Sequence, residues 1–282
     1  MKIIECPRDA MQGLHHFVKT EDKVKYINLL LQIGFDTIDF GSFVSPTVIP
    51  QMKDTAEVLK LLDLSKSKSK LLAIVANERG ATDALEFDAI DYLGFPFSIS
   101  ETFQQRNTKK SIDESLAHVD RIHSHCEKKG KELVVYLSMA FGNPYGELWS
   151  PDIAARWSER LIKEIGIKTL ALSDTIGVSK PDNIAPLFSL LLSEFPEVEI
   201  GAHLHTSPDL WKEKVEAAWN AGCRRFDGAL KGFGGCPMAE DELVGNMPSE
   251  NLILFADEKE VNLNLDSEKL NEAMRMASKL MG

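Results

Sequence analysis

The 282-residue chain is short of positive charge: 32 lysines and arginines stand against 43 aspartates and glutamates, a formal net charge of −11. This balance argues against a nucleic-acid partner or an anionic membrane surface. No apolar run approaches the roughly 18 residues that a membrane span needs, and nothing resembles a signal peptide. We therefore expect a cytoplasmic protein without a membrane or nucleic-acid partner.

Cysteine is scarce as well. The four cysteines, Cys6, Cys126, Cys223 and Cys236, are dispersed and form no C-x-x-C pair, which favours reduced thiols over a disulfide framework. The chain also has no glycine-rich dinucleotide turn and no proline- or serine-rich linker. A chain of this length with 44% hydrophobic residues can bury a sizeable core, so we expect a single domain over residues 1–282.

The chain does contain a regular alternation of short apolar runs and amphipathic runs. Candidate strands lie at 2–6, 36–40, 70–76, 89–95, 132–139, 168–173, 198–205 and 224–229. Candidate helices lie between them, at about 20–33, 50–63, 79–86, 111–129, 151–165, 181–194 and 208–221. Eight such units fit a (β/α)8 TIM barrel, whose typical size is ~250 residues, better than a doubly wound sheet. Residues 264–282 should add a C-terminal packing helix, and 230–250 a glycine-rich active-site loop.

One candidate strand ends in a His-x-His pair. Side chains two apart on a strand point the same way, so His203 and His205 could hold one divalent metal ion. The same spacing at His123 and His125 falls in a helical pattern, where residues i and i+2 lie about 200° apart. We expect those two histidines to lie on a solvated helix face.

Function in such a barrel sits at the C-terminal ends of the strands. The polar residues at the other candidate strand ends are Arg8, Asp9, Asp39, Ser42, Asp174 and Thr175, with Cys236 in the loop after the last strand. Carboxylates beside two imidazoles suit Mg²⁺ or Mn²⁺ better than Zn²⁺. A purely structural alternative stays open: Arg8–Asp9 as a capping ion pair, and Cys236 as a buried apolar residue.

Several motifs together resemble 3-hydroxy-3-methylglutaryl-CoA (HMG-CoA) lyase, a metal-dependent TIM-barrel lyase. They are Arg8-Asp9-x-x-Gln12, Ser42-Phe-Val-Ser-Pro46, Pro50-Gln-Met52, Ser173-Asp-Thr-Ile-Gly-Val178, His203-x-His205, Gly234-Gly-Cys-Pro237 and the run from Asn246 to Glu250. The first motif and the two histidines would fit any metal-dependent barrel lyase or acyl-CoA condensing enzyme. The Ser42–Pro46 run and the glycine-rich loop are more specific to the lyase.

The resemblance implies cleavage of HMG-CoA to acetyl-CoA and acetoacetate, as in leucine degradation, by a homodimer that takes an acyl-CoA substrate. The implied ligands of the Mg²⁺ or Mn²⁺ ion are Asp9, His203, His205 and Asn246. The implied substrate contacts are Arg8, Gln12 and Ser42. The implied catalytic residues are Arg8, Asp9, Asp39, Asp174, His203, Cys236 and Glu250. Among these, Arg8 would stabilise an enolate and Cys236 would protonate the acetyl-CoA carbanion.

The chain also departs from the family pattern. Ala10 stands where the family usually has glycine, Asp39 where it usually has glutamate, and Thr206 where it commonly has aspartate. Two alternatives therefore stay open. One is the same chemistry on another 3-hydroxyacyl-CoA or on a 4-hydroxy-2-keto acid, and the other is a non-catalytic metal-binding homologue.

Overall fold

The computed structural model describes residues 1–235 and 244–282. In these ranges the strands are β1 Lys2–Glu5, β2 Thr37–Ser42, β3 Lys70–Ile74, β4 Tyr92–Ser98, β5 Glu132–Ser138, β6 Thr169–Ser173, β7 Glu199–His203, β8 His205–Thr206, β9 Arg225–Gly228 and β10 Gly245–Asn246. The α-helices are α1 Pro7–Gln12, α2 Thr20–Leu30, α3 Thr55–Leu61, α4 Glu78–Ala84, α5 Glu101–Thr108, α6 Ile112–Lys128, α7 Pro151–Arg160, α8 Pro181–Glu194, α9 Trp211–Asn220, α10 Ser249–Glu258 and α11 Ser267–Met281.

Eight parallel strands close into a barrel. The order is β1-β2-β3-β4-β5-β6-β7-β9, and β9 returns to β1 with Ile4 opposite Asp227. Strands β8 and β10 form a separate antiparallel pair that sets Asn246 opposite His205. The helices surround the barrel, and α11 packs against α2. The predicted TIM barrel with an additional C-terminal helix is confirmed. No helix in the described part of the chain is long and apolar enough to cross a membrane.

Two layers of buried side chains hold the barrel together. Alternate residues of each strand face the helices, where they join the main apolar core, for example Leu71 and Ala73 of β3. The residues between them face the barrel interior. On the side of β3, β5 and β6 that interior is largely apolar, formed by Leu72, Ile74, Val134, Tyr136 and Ala171. The interior near β7 and β9 is charged instead, which sets the position of the site described below.

Several predicted boundaries were wrong. Strand β4 covers Tyr92–Ser98 rather than 89–95, because residues 87–90 form a turn in which the Ile90 amide bonds the Phe87 carbonyl. The predicted helix at 50–63 is a 3₁₀ turn at Pro50–Met52 followed by α3. Helices α1, α5 and α10 were not predicted. Helix α5 buries only two of its eight residues, so it has no apolar stripe to recognise.

The solvated position predicted for His123 is also wrong. The buried side of α6 consists of Ile112, Ser115, Leu116, Val119, Ile122, His123 and Cys126. His123 lies four residues after Val119, and residues four apart share a helix face. Its ring is therefore buried, with Nε2 3.7 Å from Glu127, whereas His125 is half-buried.

Candidate active site

The C-terminal ends of the barrel strands surround a cavity of about 450 Å³. Polar residues at its floor are Arg8, Asp9, Gln12, Tyr136, Ser138, Ser173, Thr175, His203 and His205. An apolar wall is formed by Val44, Val48, Ile49, Ile74, Pro96 and Phe103. Pockets of about 300–1,000 Å³ with a few convergent polar groups are typical small-molecule sites.

Arg8 lies at the centre of the polar floor. Pro7 is the first residue of α1, so the helix starts directly after β1 and carries Arg8 over the barrel end. Its Nε and Nη2 donate to Oδ2 of Asp39 at 3.0 and 2.5 Å. Its Nη1 donates to Asp9 at 2.6 Å and to Gln12 at 2.9 Å. Four of its five N–H bonds therefore have acceptors, and the remaining one, on Nη2, has none among the described residues.

The guanidinium sets the charge of both carboxylates. Burial raises the pKa of Asp9, but the charge of Arg8, the largest opposing influence, helps to lower it to about 2. For Asp39 the order is reversed: burial raises the pKa to about 6 even though Arg8 opposes it. Asp9 is consequently a permanent anion at neutral pH, as a metal ligand must be.

Asp9 and the two histidines form a possible metal site. Strand β7 ends at His203, and β8 begins at His205, so the strand is interrupted at Leu204. The two histidines therefore do not share one strand, in contrast to the prediction from the sequence. One ligand atom from each of Asp9, His203 and His205 nevertheless lies within 4.8 Å of the others. The predicted convergence of the two imidazoles is therefore present.

The hydrogen bonding of His205 suits a metal ion. Its Nδ1 lies 3.2 Å from the carbonyl oxygen of Thr175, which only accepts, so Nδ1 carries the hydrogen. Burial and the charge of His203 lower the pKa of His205, leaving the ring neutral. Its Nε2 is then a buried lone pair without a partner among the described residues. Such an atom is costly unless something binds it, and a divalent cation fits this donor set.

Asn246 is the fourth implied ligand and lies beside Asp9. The pairing of β10 with β8 brings it there, and its Nδ2 donates to Asp9 at 2.8 Å and to the Phe233 carbonyl at 2.9 Å. The oxygen Oδ1 is the atom left for a metal ion. Gly234 also lies against α1: its φ is +80°, and a Cβ there would clash with the Asp9 carbonyl.

The family model described as HMGL-like matches residues 2–277. The chain belongs to the HMGL-like family. Among its relatives, the hydroxymethylglutaryl-CoA lyase of Bacillus subtilis (strain 168) is 34% identical over 276 residues, which cover 98% of this chain and 91% of the relative. The (R)-citramalyl-CoA lyase of Chloroflexus aurantiacus is 29% identical over 286 residues, with 98% and 89% covered.

Solved structures agree with this membership. The crystal structure of the Bacillus subtilis HMG-CoA lyase superimposes with a TM-score of 0.93 at 34% identity, covering 100% of this chain and 93% of that one. An HMG-CoA lyase from Acinetobacter baumannii, in complex with coenzyme A and 3-methylmalate, gives 0.90 at 30% identity, with 100% and 91% covered. The HMGL-like chain and these lyases share one barrel over their full alignable length.

The other residues implied for this HMGL-like protein have different positions. Asp39 does not line the cavity, but it bonds Arg8, which does. The Ser42 hydroxyl accepts from the Val44 amide, and Glu250 accepts from the Lys231 amide at 2.9 Å. Neither Ser42 nor Glu250 lines the cavity. Cys236 lies outside the described residues, 1–235 and 244–282.

Asp174 forms a buried ion pair with a lysine that the sequence analysis did not single out. The buried Lys214 of α9 donates to Asp174 at 2.9 Å, to the His205 carbonyl at 2.8 Å and to the Gly177 carbonyl at 3.1 Å. Asp174 also accepts from the backbone amide of Ser179 at 3.0 Å. Its carboxylate is therefore fully engaged, and it braces the segment that carries His205.

Two more residues were missed. Asp227 on β9 lies 3.2 Å from Nδ1 of His203; burial opposes protonation of His203, but the bond and charge of Asp227 raise its pKa overall. Tyr136 on β5 is edge-on to His203, with ring centroids 5.5 Å apart, and its buried hydroxyl has no partner among the described residues. The signal for both was strand alternation: each occupies an inward position of a barrel strand.

Proposed function

We propose that this HMGL-like protein cleaves HMG-CoA to acetyl-CoA and acetoacetate in a divalent-metal-dependent reaction. One observation carries the proposal: Arg8, which has an unused N–H, and His205, which has an unpaired Nε2, line the same cavity and both lie close to Asp9. A site that must hold a thioester and a neighbouring oxyanion needs this combination. The relatives named HMG-CoA lyase support the substrate, and the coenzyme A of the Acinetobacter relative supports an acyl-CoA.

Arg8 would bind the thioester carbonyl oxygen. Four of its N–H bonds fix the guanidinium plane, so the fifth is preorganised toward the cavity. As the carbon–carbon bond breaks, its electron pair moves onto the thioester and the carbonyl oxygen becomes an enolate oxygen. A fixed donor stabilises this charge more than it stabilises the neutral carbonyl.

A Mg²⁺ or Mn²⁺ ion would be held by Asp9, His203, His205 and Asn246. When bound, it supplies Lewis acidity that eases loss of the proton from the tertiary hydroxyl. The Asp9 carboxylate brings a proton-accepting oxygen to the same part of the cavity. The hydroxyl oxygen then becomes the keto oxygen of acetoacetate, and the enolate carbon takes up a proton to give acetyl-CoA. Cys236 is our predicted donor of that proton.

A second substrate is favoured by the citramalyl-CoA lyase relative. Citramalyl-CoA also carries a tertiary hydroxyl beta to the thioester, so the same steps would release acetyl-CoA and pyruvate. Asp39 and Thr206, where the chain departs from the lyase pattern, are the residues to examine for this choice. The homodimer, the cytoplasmic location and the role in leucine degradation stay predictions.

Product analysis distinguishes the two substrates. Purified protein with Mn²⁺ is incubated with HMG-CoA or with citramalyl-CoA, and acetoacetate and pyruvate are assayed with their NADH-linked dehydrogenases. We expect kcat/KM for acetoacetate release from HMG-CoA to exceed kcat/KM for pyruvate release from citramalyl-CoA. A higher kcat/KM for citramalyl-CoA would identify that compound as the preferred substrate and leave the proposed reaction steps unchanged. Turnover of neither compound would contradict the proposed function.

A further inference from the structure

A charged column runs through the barrel interior below His203. Arg225 and Asp227 are two residues apart on β9 and share its inward face, while Phe226 between them joins the outer core. Nη1 of Arg225 donates to Oδ1 of Asp227 at 2.9 Å, and its Nε lies 3.7 Å from Glu199. Arg225 is only 4% exposed. A buried arginine at the bottom of the interior thus pairs with a buried aspartate at the level of the site.

The path of Arg225 depends on a glycine in the neighbouring strand. Gly201 of β7 is the register partner of Arg225. A Cβ at Gly201 would lie 2.9 Å from Nη1 and 3.0 Å from Cδ of Arg225, so that the arginine would have to shift. The guanidinium therefore reaches Asp227 because residue 201 has no side chain.

The two oxygens of Asp227 face different partners. Oδ1 accepts from Arg225, and Oδ2 lies 3.2 Å from Nδ1 of His203. A carboxylate beside Nδ1 keeps the hydrogen on that nitrogen, so Nε2 of His203 is left as the lone pair for a metal ion. The bond from Arg225 to Oδ1 fixes the orientation of the carboxylate, so that Oδ2 stays directed at His203.

We propose that Arg225 is a positioning residue that acts through Asp227 to orient His203 for metal binding. The inference rests on the proposed metal site but not on the identity of the acyl-CoA. Without Arg225 the Asp227 carboxylate loses the donor to Oδ1 and, with it, its fixed orientation. His203 then loses the fixed partner at Nδ1 that sets the orientation of its ring in the metal site.

The test measures Mn²⁺ affinity in the absence of substrate, by electron paramagnetic resonance of free Mn²⁺. The key variant is Arg225→Met, with Arg224→Met as the matched control. Arg224 is the next residue along, exposed, and stacked on Trp219 outside the barrel. We expect Arg225→Met to weaken Mn²⁺ binding about 10-fold or more, whereas Arg224→Met binds as the wild type does. Asp227→Asn should weaken binding to a similar extent.

A double variant separates positioning from general loosening. If Arg225 acts through Asp227, adding Arg225→Met to Asp227→Asn should weaken Mn²⁺ binding no further, because the effects of coupled residues do not add. Wild-type Mn²⁺ affinity in folded Arg225→Met would overturn the inference, as would fully additive effects. Where Arg225→Met does not fold, Arg225→Lys decides: we expect severalfold weaker binding, and unchanged affinity overturns the inference. A wild type that binds Mn²⁺ without cleaving HMG-CoA would contradict only the proposed function.

Discussion

The Nη2 atom of Arg8 lies 2.5 Å from Oδ2 of Asp39, and both side chains are buried at the barrel end. This contact fixes the guanidinium before any substrate arrives. Asp9 and Gln12 hold its other end. Arg8 is therefore a rigid hydrogen-bond donor, and its function depends on the planar geometry of the guanidinium as well as on its charge.

Replacing Arg8 by lysine should remove most of the activity without unfolding the barrel. An ammonium keeps the charge but cannot bond Asp39, Asp9, Gln12 and a thioester oxygen together. We expect kcat to fall at least about 100-fold, the size of a lost oxyanion donor. Steady-state kinetics with circular dichroism tests this. Arg121→Lys, on the exposed side of α6, is the control and should retain wild-type kcat.

Lys214→Met should destabilise the protein strongly. It removes the lysine cation from the buried Asp174 carboxylate, which keeps only its bonds from Ser179, and it removes a donor from the His205 carbonyl. Breaking a buried ion pair costs about 3–5 kcal/mol. Urea unfolding measures the loss. The control is Lys212→Met on the same helix, whose ion pair with Glu258 is half-exposed and should contribute less than about 1 kcal/mol. Similar values for the two variants would contradict the bracing role of Lys214.

The stability of the protein should depend on the ionisation of Glu5. Its buried carboxyl accepts from the Leu230 amide at 3.0 Å and from the Ser249 hydroxyl, and burial raises its pKa from 4.5 to about 8. The folded state thus retains a proton that the unfolded chain releases. Stability from this group is complete at low pH and is lost as the pH rises toward 8, by up to about 1.4 kcal/mol per pH unit.

Glu5→Gln removes this titration. Urea unfolding at pH 5.5 and 7.5 should show the advantage of wild type over Glu5→Gln shrinking by about 2 kcal/mol at the higher pH. Glu21→Gln, an exposed position in the first turn of α2, should keep the wild-type slope. A difference between wild type and Glu5→Gln that does not change with pH would show that Glu5 does not retain the proton.

Tyr136→Phe should separate function from stability. The hydroxyl lies near the Arg225 guanidinium without a hydrogen bond of normal geometry, so its removal should change the free energy of unfolding by less than about 1 kcal/mol. Because it faces the cavity beside His203, we expect kcat/KM for HMG-CoA to fall about 10-fold. A stability loss of several kcal/mol with unchanged kinetics would place the hydroxyl in a structural role instead.

The barrel could be predicted because its signal is local and repeated. Strand and helix periods recur along the chain, and the convergence of His203 and His205 was predicted even though the strand is interrupted between them. The short helix α1 could not be predicted, since six residues carry too little pattern. It nevertheless carries Arg8 and Asp9 into the cavity.

The supporting residues could not be predicted because each acts across elements. Lys214 serves Asp174 from a helix 40 residues later, and Arg225 needs the space left by Gly201 on another strand. A lysine in an amphipathic helix and an arginine at a strand start look like surface residues in sequence. The roles of Lys214 and Arg225 become visible only in the folded structure, where both side chains are buried and paired with carboxylates.

The most direct test of the account is acetoacetate release from HMG-CoA by metal-free protein, before and after Mn²⁺ is restored. The reaction is followed by NADH oxidation with hydroxybutyrate dehydrogenase, for wild type and for His205→Ala. We predict no release without metal, full release after Mn²⁺ is added to wild type, and at most about 1% of that rate in His205→Ala. Equal rates with and without metal, or an active His205→Ala, would contradict the account.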